Sequence, residues 1–193
     1  CGSDVRTADA SLLVHDTLVI NSHPENVIKC EGDNAGFTVD ADGVINYQWQ
    51  KDGTNLIGED KETLIINPVT ASDSGVYRCL LYSLCDTLST TGALLTVKSV
   101  PVVTLEPVAA TICEGNQIQF EAGATGSDLI WQWTKDGTDL NGVNGYEGTT
   151  SSTLIINPTD DSHTGVYSAR INGFCEPKVF TQTALLTVIP TVA

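Results

Sequence analysis

The chain repeats itself, and that limits its possible folds more than any other feature. Tyr47-Gln48-Trp49-Gln50-Lys51-Asp52-Gly53-Thr54 is answered by Trp131-Gln132-Trp133-Thr134-Lys135-Asp136-Gly137-Thr138, position 131 against 47, an offset of 84. Leu64-Ile65-Ile66-Asn67-Pro68 returns as Leu154-Ile155-Ile156-Asn157-Pro158, Gly75-Val76-Tyr77 as Gly165-Val166-Tyr167, and Cys30-Glu31-Gly32 as Cys113-Glu114-Gly115. Such a period means two units of one design, each the size of a small sandwich domain. The division predicted from it is 16–99 and 100–190. A partial third copy opens the chain, where Thr7, Ala10, Leu12 and Val14 carry the T-x-x-A-x-L-x-V pattern of Thr90, Ala93, Leu95, Val97 and of Thr181, Ala184, Leu186, Val188. Residues 1–15 therefore read as the last strand of a preceding domain, and 191–193 as the start of a following repeat. A lipid-anchored amino-terminal cysteine is the rival reading of Cys1, and without a leader or initiator methionine the chain reads as mature or as a fragment.

Both units consist of short alternating segments bounded by Gly, Asn, Asp and Pro, with no sustained helical period. An all-β fold of antiparallel sheets is expected. In the first unit strands are predicted over 36–40, 45–51, 63–66, 75–81 and 90–97. Alternation turns Phe37, Val39, Tyr47, Trp49, Leu64, Ile66, Tyr77 and Cys79 inward, and Phe120, Ala122, Trp131, Trp133, Leu154, Ile156, Tyr167 and Ala169 in the second. The repeated Lys-Asp-Gly-Thr segments read as hairpin turns in which glycine supplies a positive φ. Asp40-Ala41-Asp42-Gly43 reads as another turn, since it lacks the further carboxylates a calcium loop requires.

Trp49, Leu64-x-Ile66 and Asp73-x-Gly75-x-Tyr77-x-Cys79 together resemble the immunoglobulin I-set pattern, and the likeness covers nearly the whole of both units. The resemblance implies tandem immunoglobulin-like β-sandwiches, two complete domains plus a terminal strand of a preceding one. It makes Trp49 and Trp133 the packing between sheets and Tyr77 and Tyr167 the tyrosine-corner residues. A ligand-stacking role for Tyr47 or Trp131 is the minor alternative. The family's inter-sheet bridge is missing, because Val39 and Ala122 replace one cysteine and only Cys79 survives of the other. Cys79 then acts as a small buried apolar residue. His163 stands where the corner motif has Asp73, and reads as a solvent-facing turn residue.

Six cysteines beside three histidines, without a CxxC motif, point to an oxidising, extracellular setting. A net charge of −15 disfavours nucleic acid and anionic membranes as partners. No apolar run is long enough to cross a membrane. The histidines, at 15, 23 and 163, join no G-x-S-x-G, phosphate loop or HExxH, so neither enzyme nor cofactor is expected.

The five other cysteines fall into two classes. Cys30 and Cys113 precede the Glu-Gly bend; Cys1, Cys85 and Cys175 fall in the turn before the last strand. In a sandwich these classes lie at opposite poles, too far apart within one domain for a bridge needing Cα atoms within about 7 Å. The favoured pairing is an inter-domain bridge from Cys30 to Cys175, with Cys85, Cys113 and Cys1 bonded to neighbouring repeats. Bridges within each domain, Cys30 to Cys85 and Cys113 to Cys175, are the simpler alternative. The short passage Val97-Lys98-Ser99-Val100-Pro101-Val102 lacks a Gly/Ser tract, and with the staple it implies a stiff rod.

The Cys-Glu-Gly bend, the Trp-bearing strand and the T-x-x-A-x-L-x-V strand together resemble immunoglobulin-like repeats of very large Bacteroidota surface adhesins and filaments. That likeness implies secretion to the cell surface, a structural and adhesive role in a stalk or filament, and a part in adhesion or gliding motility. The partners implied are neighbouring repeats, with surface glycans or proteins in addition. Asp16-Thr17-Leu18 and Asp86-Thr87-Leu88 fit that group's short O-glycosylation motif at Thr17 and Thr87. A glycan- or protein-binding module, or an accessory domain of a large secreted enzyme, are the alternative functions.

Overall fold

The computed structural model describes residues 17–191. The predicted preceding strand and Cys1 lie outside the described residues. In the first repeat the strands are β1 (Val19–Ser22), β2 (Val27–Cys30), β3 (Ala35–Thr38), β4 (Asp40–Asp42), β5 (Asn46–Lys51), β6 (Thr54–Asn55), β7 (Thr63–Ile66), β8 (Gly75–Tyr82), β9 (Thr87–Ser89) and β10 (Ala93–Lys98). The main sheet runs β2-β10-β8-β5-β6, with β9 also on β8; β1 pairs with β4 and β3 with β7.

The second repeat follows the same plan with one addition. Its strands are β11 (Val102–Leu105), β12 (Ala110–Cys113), β13 (Ile118–Glu121), β14 (Gly123–Thr125), β15 (Ile130–Lys135), β16 (Thr138–Asp139), β17 (Tyr146–Glu147), β18 (Thr153–Ile156), β19 (Gly165–Asn172), β20 (Val179–Phe180) and β21 (Ala184–Ile189). Its main sheet is β12-β21-β19-β15-β16 with β20 on β19, faced by β13-β18-β17; β11 pairs with β14. Between the Trp motif and the Leu-Ile-Ile-Asn-Pro motif the offset grows from 84 to 90, Leu154 against Leu64. The added residues make room for β17, which has no counterpart strand in the first repeat.

Wholly antiparallel sheets were expected, and β12 corrects this by running parallel to β21 from Ala110↔Leu186 to Cys113↔Ile189. The chain keeps its direction from β11 to β12 while passing to the other sheet, and so meets the terminal strand in parallel. The strand expected over 36–40 breaks at Val39, where Ala35–Thr38 pairs with β7 and Asp40–Asp42 with β1. Asp40 and Asp42 thus belong to a strand; the bend comes after them, at Gly43 (φ 70°).

Compact grouping of the chain follows other limits than the repeat boundaries. One unit holds the described residues up to Val27, Asn34–Pro68 and Asp73–Thr96; the other holds Ile28–Asp33, Val69–Ser72 and the described residues from Val97 onward. Cys30 and Cys175 therefore lie in the same unit.

Each sandwich is packed around one tryptophan. Trp49 and Trp133 are fully buried, and each indole N–H donates to a carbonyl, Lys61 at 2.8 Å and Ser151 at 2.8 Å. Phe37 stacks on Tyr77 with centroids 4.9 Å apart, and Phe120 on Tyr167 at 5.1 Å. Truncating a tryptophan so placed costs about 3–5 kcal/mol. Alternation buries Tyr77, Cys79 and Leu81 in β8 and Tyr167, Ala169 and Ile171 in β19. Tyr47, Ile66 and Trp131, also expected inside, are half-buried.

The Lys-Asp-Gly-Thr turns are tight because both central residues take positive φ: Asp52 48° and Gly53 83°, Asp136 49° and Gly137 78°. Such two-residue loops match the twist of β5–β6 and β15–β16. Asp52 Oδ1 then accepts from the Val76 N–H at 2.9 Å, and Asp136 Oδ1 from Val166 at 2.9 Å. A Cβ on Gly75 or Gly165 would come within 3 Å of these carboxylates, at 2.6 and 2.7 Å, which explains the glycine at this position in both repeats.

Candidate functional site: the disulfide cluster

Cys30 and Cys175 form a disulfide, with Cα atoms 5.8 Å apart and a sequence separation of 145. Cys30 ends β2 and is half-buried; Cys175 lies in the turn between β19 and β20 and is buried. The alternatives that join Cys30 to Cys85 or Cys113 to Cys175 are not the pairing found. Cys79 is free and buried, while Cys85 and Cys113 are free and exposed. Burial pushes the Cys79 thiol up to about 11, so it stays protonated and packs as a small apolar group.

The bend that presents Cys30 is held by its own backbone. Glu31 N–H donates to the Lys98 carbonyl at 2.9 Å, Gly32 N–H to Val69 at 2.9 Å, and Asp33 N–H to Cys30 at 3.0 Å. Gly32 takes φ 90°, which few other residues tolerate. The Cys175 sulfur rests 3.5 Å from the same Lys98 carbonyl; as a disulfide sulfur it has no proton to give, so this is packing contact. Lys98 also forms an ion pair with Asp128 at 2.9 Å and places its ammonium 5.9 Å from the centre of the Phe174 ring. The Phe174 N–H donates to Ser127 O at 3.0 Å, Ser127 N–H to Ser99 O at 3.2 Å, and Ser99 N–H to Ser127 Oγ at 3.0 Å. Gly126 and Gly173 let Pro101 approach, since a Cβ on either would lie 2.8 or 3.1 Å from its atoms. Sequence reading did not identify Lys98, Asp128 or Phe174. The one available signal was position: Lys98 directly follows the T-x-x-A-x-L-x-V pattern, and Phe174 directly precedes Cys175.

The Cys113 bend has the same construction. Glu114 N–H donates to Ile189 O at 2.9 Å and Gly115 N–H to Thr159 O at 2.7 Å. Cys85 lines a cleft of about 440 Å³ together with Thr17, Leu18, Val44, Ile45 and Leu84. Thr17 and Thr87 are exposed, and the Asp86 carboxylate accepts from the Thr87 N–H at 2.7 Å.

The tyrosine corners are formed as expected: Tyr77 OH donates to Asp73 O at 2.8 Å and Tyr167 OH to His163 O at 2.7 Å. His163 itself corrects the solvent-facing reading, being 2 % exposed. Its Nε2–H donates to the Asn144 carbonyl at 2.8 Å, its Nδ1 accepts from the Asp160 N–H at 3.1 Å, and its ring meets Tyr146 edge-on at 5.0 Å. The insertion that creates β17 brings Asn144 and Tyr146 over the ring, and Tyr146 OH reaches Tyr167 OH at 3.1 Å. Among the described residues no group of three or more His, Cys, Asp or Glu side chains could hold a metal ion, and no helix is long and apolar enough to cross a membrane.

Residues 19–82 match the immunoglobulin domain family. Mouse peroxidasin homolog is 31% identical over 131 residues, covering 67% of this chain and 9% of that protein. The chain thus spans under a tenth of that curated relative. An I-band fragment of titin, I67-I69, superposes with a TM-score of 0.77 at 17% identity, covering 92% of this chain and 67% of the fragment. Extracellular domains 3-5 of Drosophila OTK superpose at 0.63 with 20% identity, covering 91% and 63%. The fold is a tandem of immunoglobulin-like domains.

Proposed function

We propose that this chain is a structural and adhesive segment of an extracellular surface array, in which the sandwiches 16–99 and 100–190 are successive links and disulfides cross-link neighbouring repeats. The Cys30–Cys175 bond carries this reading. It closes a covalent loop around 145 residues, so tension applied outside residues 30 and 175 passes through the bond and leaves the enclosed chain unloaded. A disulfide also fits an oxidising compartment, as does the likeness to extracellular domains. Cys85, Cys113 and Cys1 supply the corresponding links to further repeats, and Thr17 and Thr87 are the surface sites for O-glycans. The finer assignment, to the large adhesins or filaments of Bacteroidota and to gliding, rests on the residue pattern alone.

Force spectroscopy on the chain tethered at its ends tests the load-bearing role. At about 3.5 Å per extended residue, reduction should release roughly 500 Å of contour length that the intact bond withholds. Equal contour lengths with and without reductant would rule the role out.

A further inference from the structure

The two turns that carry Cys85 and Cys175 correspond by position, yet only one is bonded. Counting on from the ends of β8 and β19, Tyr82 and Asn172, Leu84 matches Phe174 and Cys85 matches Cys175. Counting back from the starts of β5 and β15, Asn46 and Ile130, Val44 matches Asp128. On the opposite side of the contact, Cys113 matches Cys30, and Ile189, which ends β21, matches Lys98, which ends β10. Both bends are built alike, with Glu31 N–H on Lys98 O and Glu114 N–H on Ile189 O, each at 2.9 Å.

Side-chain chemistry changes in concert at these positions. Around the formed disulfide the contact is charged and aromatic: Lys98 on Asp128 at 2.9 Å and over Phe174 at 5.9 Å. At the unbonded positions all three are aliphatic: Ile189 replaces the cation, Val44 the anion and Leu84 the ring. Leu84 is 62% and Ile189 49% exposed, an arrangement that leaves apolar surface in water on both matching faces. A cleft of about 440 Å³ opens beside Cys85, lined also by Val44 and Leu84. Exchanging the faces would set Ile189 against the Asp128 carboxylate or strand the Lys98 ammonium against Val44, so each face rejects the other's partner.

We infer that the face formed by Val44, Leu84 and Cys85 docks the Cys113-Glu114-Gly115 bend and Ile189 of a second copy of this chain, and that a Cys85–Cys113 disulfide then joins copies head to tail. This rests on the array reading and adds to it the partner and the matching rule. Closure needs an external disulfide as oxidant. The Cys85 thiolate attacks that disulfide, RSSR, forming Cys85–S–S–R and releasing one RS⁻. The Cys113 thiolate of the second copy then displaces the other RS⁻. Two protein thiols are oxidised to one disulfide, RSSR is reduced, and the two RS⁻ take up the two thiol protons to become 2 RSH.

The test is incubation of the full chain in an oxidised/reduced glutathione buffer, followed by non-reducing electrophoresis and peptide mapping of mixed ¹⁴N and ¹⁵N chains. A ladder of multimers carrying inter-chain Cys85–Cys113 peptides is expected. In a Cys1→Ser background, Cys85→Ser and Cys113→Ser should each stay monomeric alone, and mixed they should give a dimer only. Ile189→Lys should slow multimer formation about tenfold, and Ile189→Lys combined with Val44→Asp should restore it. Predominant Cys85–Cys85, Cys113–Cys113 or Cys85–Cys1 peptides, or failure of the charge-pair rescue, would overturn the docking. Monomers that keep Cys30–Cys175 would defeat this inference alone, whereas loss of Cys30–Cys175 would defeat the array reading beneath it.

Discussion

Breaking the Cys30–Cys175 bond should destabilise the second repeat by an amount the structure sets. Glu31 N–H is bonded to Lys98 O at 2.9 Å, so while that pairing holds, Cys30 is fixed beside Lys98 and the loop closed by the bond runs from 98 to 175, about 77 residues. Loop-closure entropy for that length is worth about 4.5 kcal/mol at 25 °C. Distortion and residual structure in the unfolded chain commonly reduce such a figure, so a loss of about 2–4.5 kcal/mol is expected for Cys30→Ser/Cys175→Ser. Trp131 and Trp133 report on the second repeat and Trp49 on the first, so the two transitions are followed by site-specific labelling of the tryptophans in the otherwise unchanged chain. With a urea slope near 1 kcal/mol per molar for a domain of this size, the midpoint should fall by about 2–4.5 M. Wild type in reductant should follow the double variant. A loss under about 1 kcal/mol would refute the loop argument, since the bond would then be constraining chain that is already held.

Tyr167→Phe should cost more than Tyr77→Phe, about 2–4 against 1–2 kcal/mol by urea denaturation, because it strands both the His163 carbonyl and the buried Tyr146 hydroxyl. Cys85 and Cys113 should be alkylated by iodoacetamide in the native protein at pH 8 and Cys79 only after unfolding, as peptide mass spectrometry would show. The Val166 N–H, followed by Lys135, holds the Asp136 carboxyl below its ordinary 3.8. Its folded value is thus the lower one, and its contribution is complete above the unfolded value and lost as pH falls through the folded one. Asp136→Asn should therefore flatten the acid limb of the second repeat's stability curve below about pH 4.

Much of this architecture is legible in the residues because strand periodicity and turn chemistry are local. The Thr63–Ile66 strand appears at its expected limits, and Asp-Gly predicted its own hairpins. The corner tyrosines and both tryptophans could be placed because their partners are backbone atoms at fixed offsets. Contacts supplied by an insertion were harder to read. His163 looked like a turn residue until Asn144 and Tyr146, folded back by the added residues, enclosed it. The parallel pairing of β12 with β21 joins distant stretches of chain, and nothing in a period-two pattern sets its direction. Lys98, Asp128 and Phe174 drew no notice for a similar reason: each is an ordinary surface residue whose role exists only where the three meet.

Peptide mapping of the unreduced chain is the most direct test of the central claim, that the bond links the end of β2 to the turn before β20. After proteolysis with free thiols blocked, the account predicts one cross-linked species carrying Cys30 and Cys175. Recovery of Cys30 joined to Cys85, or of Cys113 joined to Cys175, would contradict it.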